Sequence, residues 1–422
     1  MRLVFGIWLL VILAGITNAQ EQPVILTLDE SLAIALRDNK DILLNTEKLA
    51  QLKSGIGEAR SGFLPQVNIN SYATRSRGLY RKDVNNYSFQ AGIKQYIYQG
   101  GKAANTLKQA RYEAQAQGQE LARVTDEIIL EVKKAFYTLL IAKEFARIND
   151  QILDNSGKHL RSALLRYEKG EISESEVLKA KYLLAQGRQL HESSLNQLES
   201  AGILLKNILC IEEKTDVDIE GDFSYTPKEA AVDEAILKAL SLRPEIKQYE
   251  AKVQADSAGV EISKAAGRPS IYGSFDYYSR STTSLTFSPS KGWQDYNVIG
   301  FTLSWPVFDG WAAKYKVEQA ISGLKQTRIL QDKLKADVAA EVRDAYLSLG
   351  TALGALEAGK KDIELYADNL KVIQEKYKGG ISSDLDLEDA RLAFFISEFN
   401  RRQGVYDYLI ARSKLDKAIG EK

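Results

Sequence analysis

The sequence predicts a mainly α protein with a β-barrel portion, in which a strand hairpin followed by a long helical hairpin occurs twice. Three observations carry that prediction: a duplication in constant register, long proline-free stretches of helix-forming residues, and short stretches where the apolar period changes from 3.6 to 2. Tyr98-Gln99-Gly100-Gly101 returns as Phe308-Asp309-Gly310-Trp311, and Tyr167-Glu168-Lys169-Gly170 as Tyr377-Lys378-Gly379-Gly380. Both lie 210 positions apart (310 − 100, 380 − 170). Earlier in the chain Leu28-Asp29-Glu30 matches Val232-Asp233-Glu234 and Pro65 matches Pro269, an offset of 204 (269 − 65). The second copy therefore gains six residues (210 − 204) between Pro269 and Phe308, and a loop from Arg280 to Asp295 is the expected place.

Residues 1–19 read as a secretory signal, with Arg2, an apolar run from Leu3 to Ile16 and the small-residue site Thr17-Asn18-Ala19. The run is too short to favour spanning a bilayer. A first repeat over 20–210, a linker over 211–228 and a second repeat over 229–422 follow. The one cysteine, Cys210, excludes an internal disulfide framework. Acidic and basic residues balance at 56 each, which argues against a chain-wide surface for nucleic acid.

Each repeat opens with a lead-in helix, about Asp29 to Gly62 or Asp233 to Ala266. A β-hairpin follows, about 66–98 or 270–308. Ile271, Gly273, Phe275 and Tyr277 alternate with Tyr272, Ser274, Asp276 and Tyr278, and Ile299, Phe301, Leu303, Trp305 and Val307 alternate with smaller or more polar residues, so each strand has one apolar face. The first hairpin turns through Gly78 to Asn86. No proline occurs between Pro65 and Pro227 or after Pro306, so helices run uninterrupted there, in helical hairpins of about 101–209 and 310–419. Leu334, Val338, Val342, Ala345, Leu349, Leu353 and Leu356 give the second long helix a continuous apolar stripe. Gly170 and Gly380 are placed to end the long helices, and Ser173 with Glu176, or Ser383 with Asp386, has capping-box spacing to start the return helices.

Strands of about ten residues with one apolar face suit a membrane barrel wall. Four strands do not close a barrel, and an open edge in lipid leaves backbone groups unpaired. The physical solution is oligomerisation, and three chains would supply twelve strands, an even number within the usual range. A periplasmic spacer or coiled-coil adhesin without a pore is the alternative use of long paired helices. No triad, acid–base pair or metal-ligand spacing is present: His159, His191 and Cys210 are scattered over helical segments, so neither an enzyme nor a cofactor is expected.

The chain resembles the TolC-type outer-membrane efflux protein family over essentially its whole length after residue 19. The resemblance is carried by Leu28-Asp29-Glu30 through Ala35-Leu36, Ala59-Arg60-Ser61-Gly62-Phe63-Leu64-Pro65-Gln66, the strand ends at Tyr98 to Gly101 and Phe308 to Gly310, and the Tyr-x-x-Gly turns at Tyr167 and Tyr377. It implies a homotrimer in the outer membrane, a trimeric 12-stranded membrane barrel standing on an α-helical barrel that forms a periplasmic tunnel. It also implies a periplasmic adaptor and an inner-membrane transporter as partners, and outer-membrane lipid around the barrel. Asp386 and Asp389 match aspartates that line the periplasmic constriction in the family, and in a trimer would stack as two carboxylate rings. Asp386 has a second assignment as the cap partner of Ser383. Tyr167 and Tyr377 are candidates for a gate or for packing at the hairpin tips, and Trp305 for the membrane interface. Ser382 stands where some members carry an arginine, so an arginine lock at that position is not carried over.

Overall fold

The computed structural model describes residues 24–79, 82–225, 231–282 and 292–421. The expected signal segment, and most of the loop expected to hold the six extra residues, lie outside them. The first copy contains β1 (Val24–Leu26), α1 (Leu28–Asp38), α2 (Lys40–Ser61), β2 (Gln66–Leu79), β3 (Lys82–Gln99), α3 (Lys102–Glu168) and α4 (Glu174–Leu209). The second contains β4 (Val217–Ile219), α5 (Val232–Leu242), α6 (Pro244–Ala265), β5 (Ser270–Ser281), β6 (Gln294–Ser304), α7 (Ala312–Lys378) and α8 (Asp384–Ile419).

Helices α3 and α7 have 67 residues each, about 100 Å at the rise of an α-helix. Their buried positions repeat across the copies: Ile128, Val132, Ala135, Leu139, Ala142 and Ala146 in α3 become Val338, Val342, Ala345, Leu349, Ala352 and Leu356 in α7. The return helices present small residues every seven positions: Ala180, Gly187, Ser194 and Ala201 in α4, and Ala390, Ser397, Gly404, Ala411 and Ala418 in α8. A seven-residue repeat keeps the seam on one face only if the pair coils left-handed. Small side chains let the backbones come close. A Cβ built on Gly404 would lie 3.4 Å from Leu356 Cα, and one on Gly187 would lie 3.6 Å from Leu153 Cα.

The tips follow from local chemistry. Gly170 and Gly380 adopt φ of 74° and 71°, and the next N–H reaches back five residues, Glu171 to Arg166 O and Ile381 to Lys376 O, both at 2.9 Å. Such 6→1 bonds satisfy carbonyls that the helix end leaves open. Both return helices then start at capping boxes, Ser173 with Glu176 and Ser383 with Asp386.

Four strands form one antiparallel sheet in the order β2-β3-β5-β6, so the β3–β5 pair joins the two copies. The helices above and below repeat that order. In the tier next to the sheet, α2 packs on α3, α3 on α6 and α6 on α7; in the distal tier α4 packs on α3, α3 on α8 and α8 on α7. Only α3 and α7 run through both tiers. Each tier is a row of four elements, and among the described residues the elements at its two ends do not pack extensively on one another.

Several elements differ from the sequence expectations. Each lead-in helix is two helices, broken at Asn39 and at Arg243 with ψ of 130° and 131°. Asn39 accepts from the Asp41 N–H and donates to Ile208 O at 3.1 Å. Arg243, 4% exposed, is restricted to extended backbone by Pro244 and its guanidinium pairs with Glu245 at 2.8 Å and with Glu341. The segment expected as a linker contains β4, which pairs in parallel with β1, Val24 opposite Val217. Strands three residues long with no extended alternation escape a periodicity search. In the first β-hairpin β2 continues to Leu79 and β3 starts at Lys82, so both strands run into the segment from Gly78 to Asn86 that was expected as loop. Strand β6 stops at Ser304, short of the expected 308, because β5 starts opposite it at Ser270.

Close helix approach makes a specific prediction. Gly404→Leu is expected to force α8 off α7 and lower the thermal midpoint followed by helical circular dichroism. Gly118→Ala, where nothing lies within 4 Å of the new Cβ, is expected to raise it, since alanine is favoured over glycine in a helix by about 1 kcal/mol.

Candidate functional site: the tunnel wall and its tip clasp

The sheet divides chemically by strand parity. Val67, Ile69, Ala91, Ile93, Phe275, Ile299, Phe301 and Leu303 share one face by register, and Ile299, Phe301 and Leu303 are 73%, 78% and 66% exposed. On the opposite face Gln90 donates from Nε2 to Asp276 Oδ1 at 3.1 Å and to Tyr278 Oη at 3.2 Å. Lys94 Nζ lies 3.9 Å from the Tyr272 ring centroid and 4.6 Å from that of Tyr96, and Tyr278 stacks on Tyr296 at 5.0 Å. One wall face is oily and the other carries hydrogen-bonding and cationic groups, the division that separates lipid from an aqueous lumen.

Strand-to-helix junctions need sharp turns. Gly100 and Gly101 have φ of 63° and 88°, while in the second copy Gly310 and Trp311 have 68° and 70°. A tryptophan in the left-handed region is strained by about 1–2 kcal/mol; its ring lies edge-on to Phe308 at 5.9 Å. Trp305, 61% exposed, sits one residue past β6.

Between the tiers and the tip, α3 and α8 are clamped along their length. Thr138 Oγ1 and Tyr406 Oη are 3.1 Å apart, and the rings of Phe145 and Phe399 are 4.7 Å apart. Glu144, Arg147, Glu398 and Arg402 form a four-charge network with contacts from 2.8 to 3.4 Å.

At the tip Arg166 of the first copy forms an ion pair with Asp384 of the second. The Asp384 carboxylate also lies beside the Tyr377 hydroxyl, and its proximity, reinforced by burial, raises the Tyr377 pKa. The ion pair ties α3 to α8, and Tyr377 at the end of α7 lies against it. Among the described residues Tyr377 belongs to this cluster, whereas Tyr167 is 45% exposed. Asp386 is engaged in the cap: the Ser383 N–H and Oγ–H donate to its carboxylate at 2.9 and 2.8 Å. Those bonds hold its pKa below the usual carboxylate value. Asp389 is exposed, one turn further on, beside a groove lined by Ser156, Gly187 and Phe395. Arg166 and Asp384 escaped the sequence reading; the available signal was a basic residue beside Tyr167 in one copy and an acidic residue beside the other tip. No three His, Cys, Asp or Glu residues converge as a metal-binding group among the described residues.

An amphipathic sheet continued into paired helices of this length defines a membrane channel protein with a helical tunnel. A family model described as outer membrane efflux protein matches residues 32–210 and again 235–421. Protein CyaE of Bordetella pertussis is 21% identical over 373 residues, 86% of this chain and 77% of that protein. The outer membrane protein TolC of Escherichia coli is 22% identical over 386 residues, 86% of this chain and 76% of its own. The crystal structure of the Campylobacter jejuni CmeC outer membrane channel superposes with a TM-score of 0.83 at 17% identity, covering 93% of this chain and 85% of that one. The chain belongs to the outer membrane efflux protein family. It is a transport protein of the outer membrane, an exit duct whose helices form the periplasmic tunnel, and not an enzyme.

Arg166→Gln is expected to let the two hairpin tips part. Nitroxide labels on Lys169→Cys and Lys378→Cys, in a Cys210→Ser chain, should show a longer and broader distance by pulsed electron resonance, while Asp386→Ala leaves it unchanged. Because the folded pKa of Tyr377 is raised, its contribution is complete below the ordinary tyrosine value and is lost as pH rises through the raised one. The same label distance should therefore lengthen only on the alkaline side.

Proposed function

We propose that three copies of this chain close into one duct, twelve strands in the outer membrane and twelve helices below them, through which an inner-membrane transporter exports its substrates by way of a periplasmic adaptor. The observation that carries the reading is the agreement of the tiers: sheet, proximal helices and distal helices all have four members, in one order, open at the same two edges. Open edges in lipid cost several kcal/mol per unpaired backbone group, and closure by identical copies removes all of them at once. A periplasmic spacer would have no use for a sheet with an oily face.

In this assembly Ile299, Phe301 and Leu303 face lipid and Trp305 lies at the inner membrane–water boundary. Asp386 and Asp389 sit at the narrow periplasmic end, where they place carboxylates on a three-fold axis. Rings of like charge there favour cations over anions. The capping bonds of Asp386 support its ionisation, since they stabilise the carboxylate. Tyr377 and the Arg166–Asp384 pair hold the constriction closed, and Gly170 and Gly380 set the tip turns that present it. The turn glycines and Tyr167 also lie where an adaptor would meet the tip.

Single-channel recording tests the proposal. The purified trimer in planar bilayers is expected to give a small, cation-selective conductance. Asp386→Ala with Asp389→Ala should abolish the selectivity and leave the conductance in place. Unchanged selectivity would remove these aspartates from the pore.

A further inference from the structure

We infer that the junction between the two copies inside one chain is the template for the seam between chains, and that it fixes the seam residue by residue. The inference rests on the trimeric reading above. Within the chain, copy one meets copy two through β3 on β5, α3 on α6 and α3 on α8. Ring closure requires β6 and α7 of one chain to meet β2, α2 and α4 of the next, the same junction with the copies exchanged. The sequence offsets convert one into the other: 210 is added to each β3 or α3 residue, 204 is subtracted from each β5 or α6 residue, and 210 from each α8 residue.

Two of the three α3–α8 ion pairs convert into pairs of opposite charge, while Glu144–Arg402 becomes Gly354 with the neighbour's Glu192. Arg166–Asp384 becomes Lys376 with Glu174 of the neighbouring copy. Arg147–Glu398, at 2.8 Å, becomes Glu357 with the neighbour's Arg188, both signs reversed and the attraction kept. All four of these residues are exposed in the single chain. Glu120–Gln248, at 3.0 Å, becomes Leu330 with the neighbour's Leu44, two leucines 48% and 52% exposed. Thr138–Tyr406 becomes Ser348 with Asn196, again polar on both sides, whereas Phe145–Phe399 becomes Ala355 with Gln189 and its aromatic contact is not duplicated.

Backbone features agree. A Cβ on Gly100 would lie 2.8 Å from Arg268 Cβ, but one on its copy Gly310 has nothing within 4 Å. Conversion places the neighbour's Leu64, 57% exposed, against Gly310. In the sheet, Gln95 opposite Gly273 becomes Trp305 opposite the neighbour's Ile69. Ile69 lies opposite Ala91 and so keeps to the apolar face. Residues 95–99 of β3 extend past the start of β2 and pair with β5 alone. Their copies, 305–309, extend past β5, and the neighbour's β2 completes them as strand.

The test uses the full chain carrying Cys210→Ser. Lys376→Cys with Glu174→Cys, and separately Glu357→Cys with Arg188→Cys, are expected to yield a disulfide ladder up to trimer on mild oxidation. Lys376→Cys with Leu178→Cys, one helical turn out of register, is expected to yield none. Lys376→Glu should lower the temperature at which the trimer dissociates, and adding Glu174→Lys should restore it. Trimers that cross-link at the shifted pair, or at neither matched pair, overturn the register. A chain that purifies as a monomer overturns the trimeric reading itself.

Discussion

A sheet bathed in lipid tolerates no unpaired edge, and the rest of this protein is arranged around that constraint. Four strands present two edges, β2 and β6, and hydrocarbon offers their N–H and C=O groups nothing to bond. Water can satisfy the polar groups of a helix flank, so the periplasmic tiers carry no comparable backbone cost. The helices nevertheless follow the strand order, because α2, α3, α6 and α7 are continuous in sequence with β2, β3, β5 and β6. The membrane requirement at one end thus sets the lateral order of helices throughout the proximal tier.

Duplication made much of this legible in the sequence. The long helices announce themselves by proline-free runs and by Val338, Val342 and Leu349 at helical spacing, positions that are all buried. The turn chemistry at Ser173 and Ser383 is local, so the capping boxes are readable without tertiary knowledge. What stayed hidden depends on contacts distant in sequence. The break at Asn39 is anchored by Ile208 O, which no local pattern encodes, whereas the break at Arg243 has a local signal in Pro244 and a distant anchor in Glu341. The β1–β4 pair joins segments nearly two hundred positions apart and is too short to show a period.

The tip illustrates the same limit. Ser382 supplies no cation at the tip. Arg166 enters from the other copy, across a contact 218 positions wide in sequence, and takes Asp384 rather than Asp386. Asp386 is occupied at home by Ser383. Two neighbouring aspartates on one helix therefore have separate work, one joining hairpins and one starting the helix.

The uninterrupted passage of α3 and α7 through both helical tiers makes each of them a lever. A rod about 100 Å long that tilts by only about one degree at its membrane end carries its far end roughly 2 Å sideways. Displacements too small to disturb the barrel are enough to break a contact of hydrogen-bond length at the tip. The wall that seals the membrane can stay rigid while the same two helices part the Arg166–Asp384 contact at the other end.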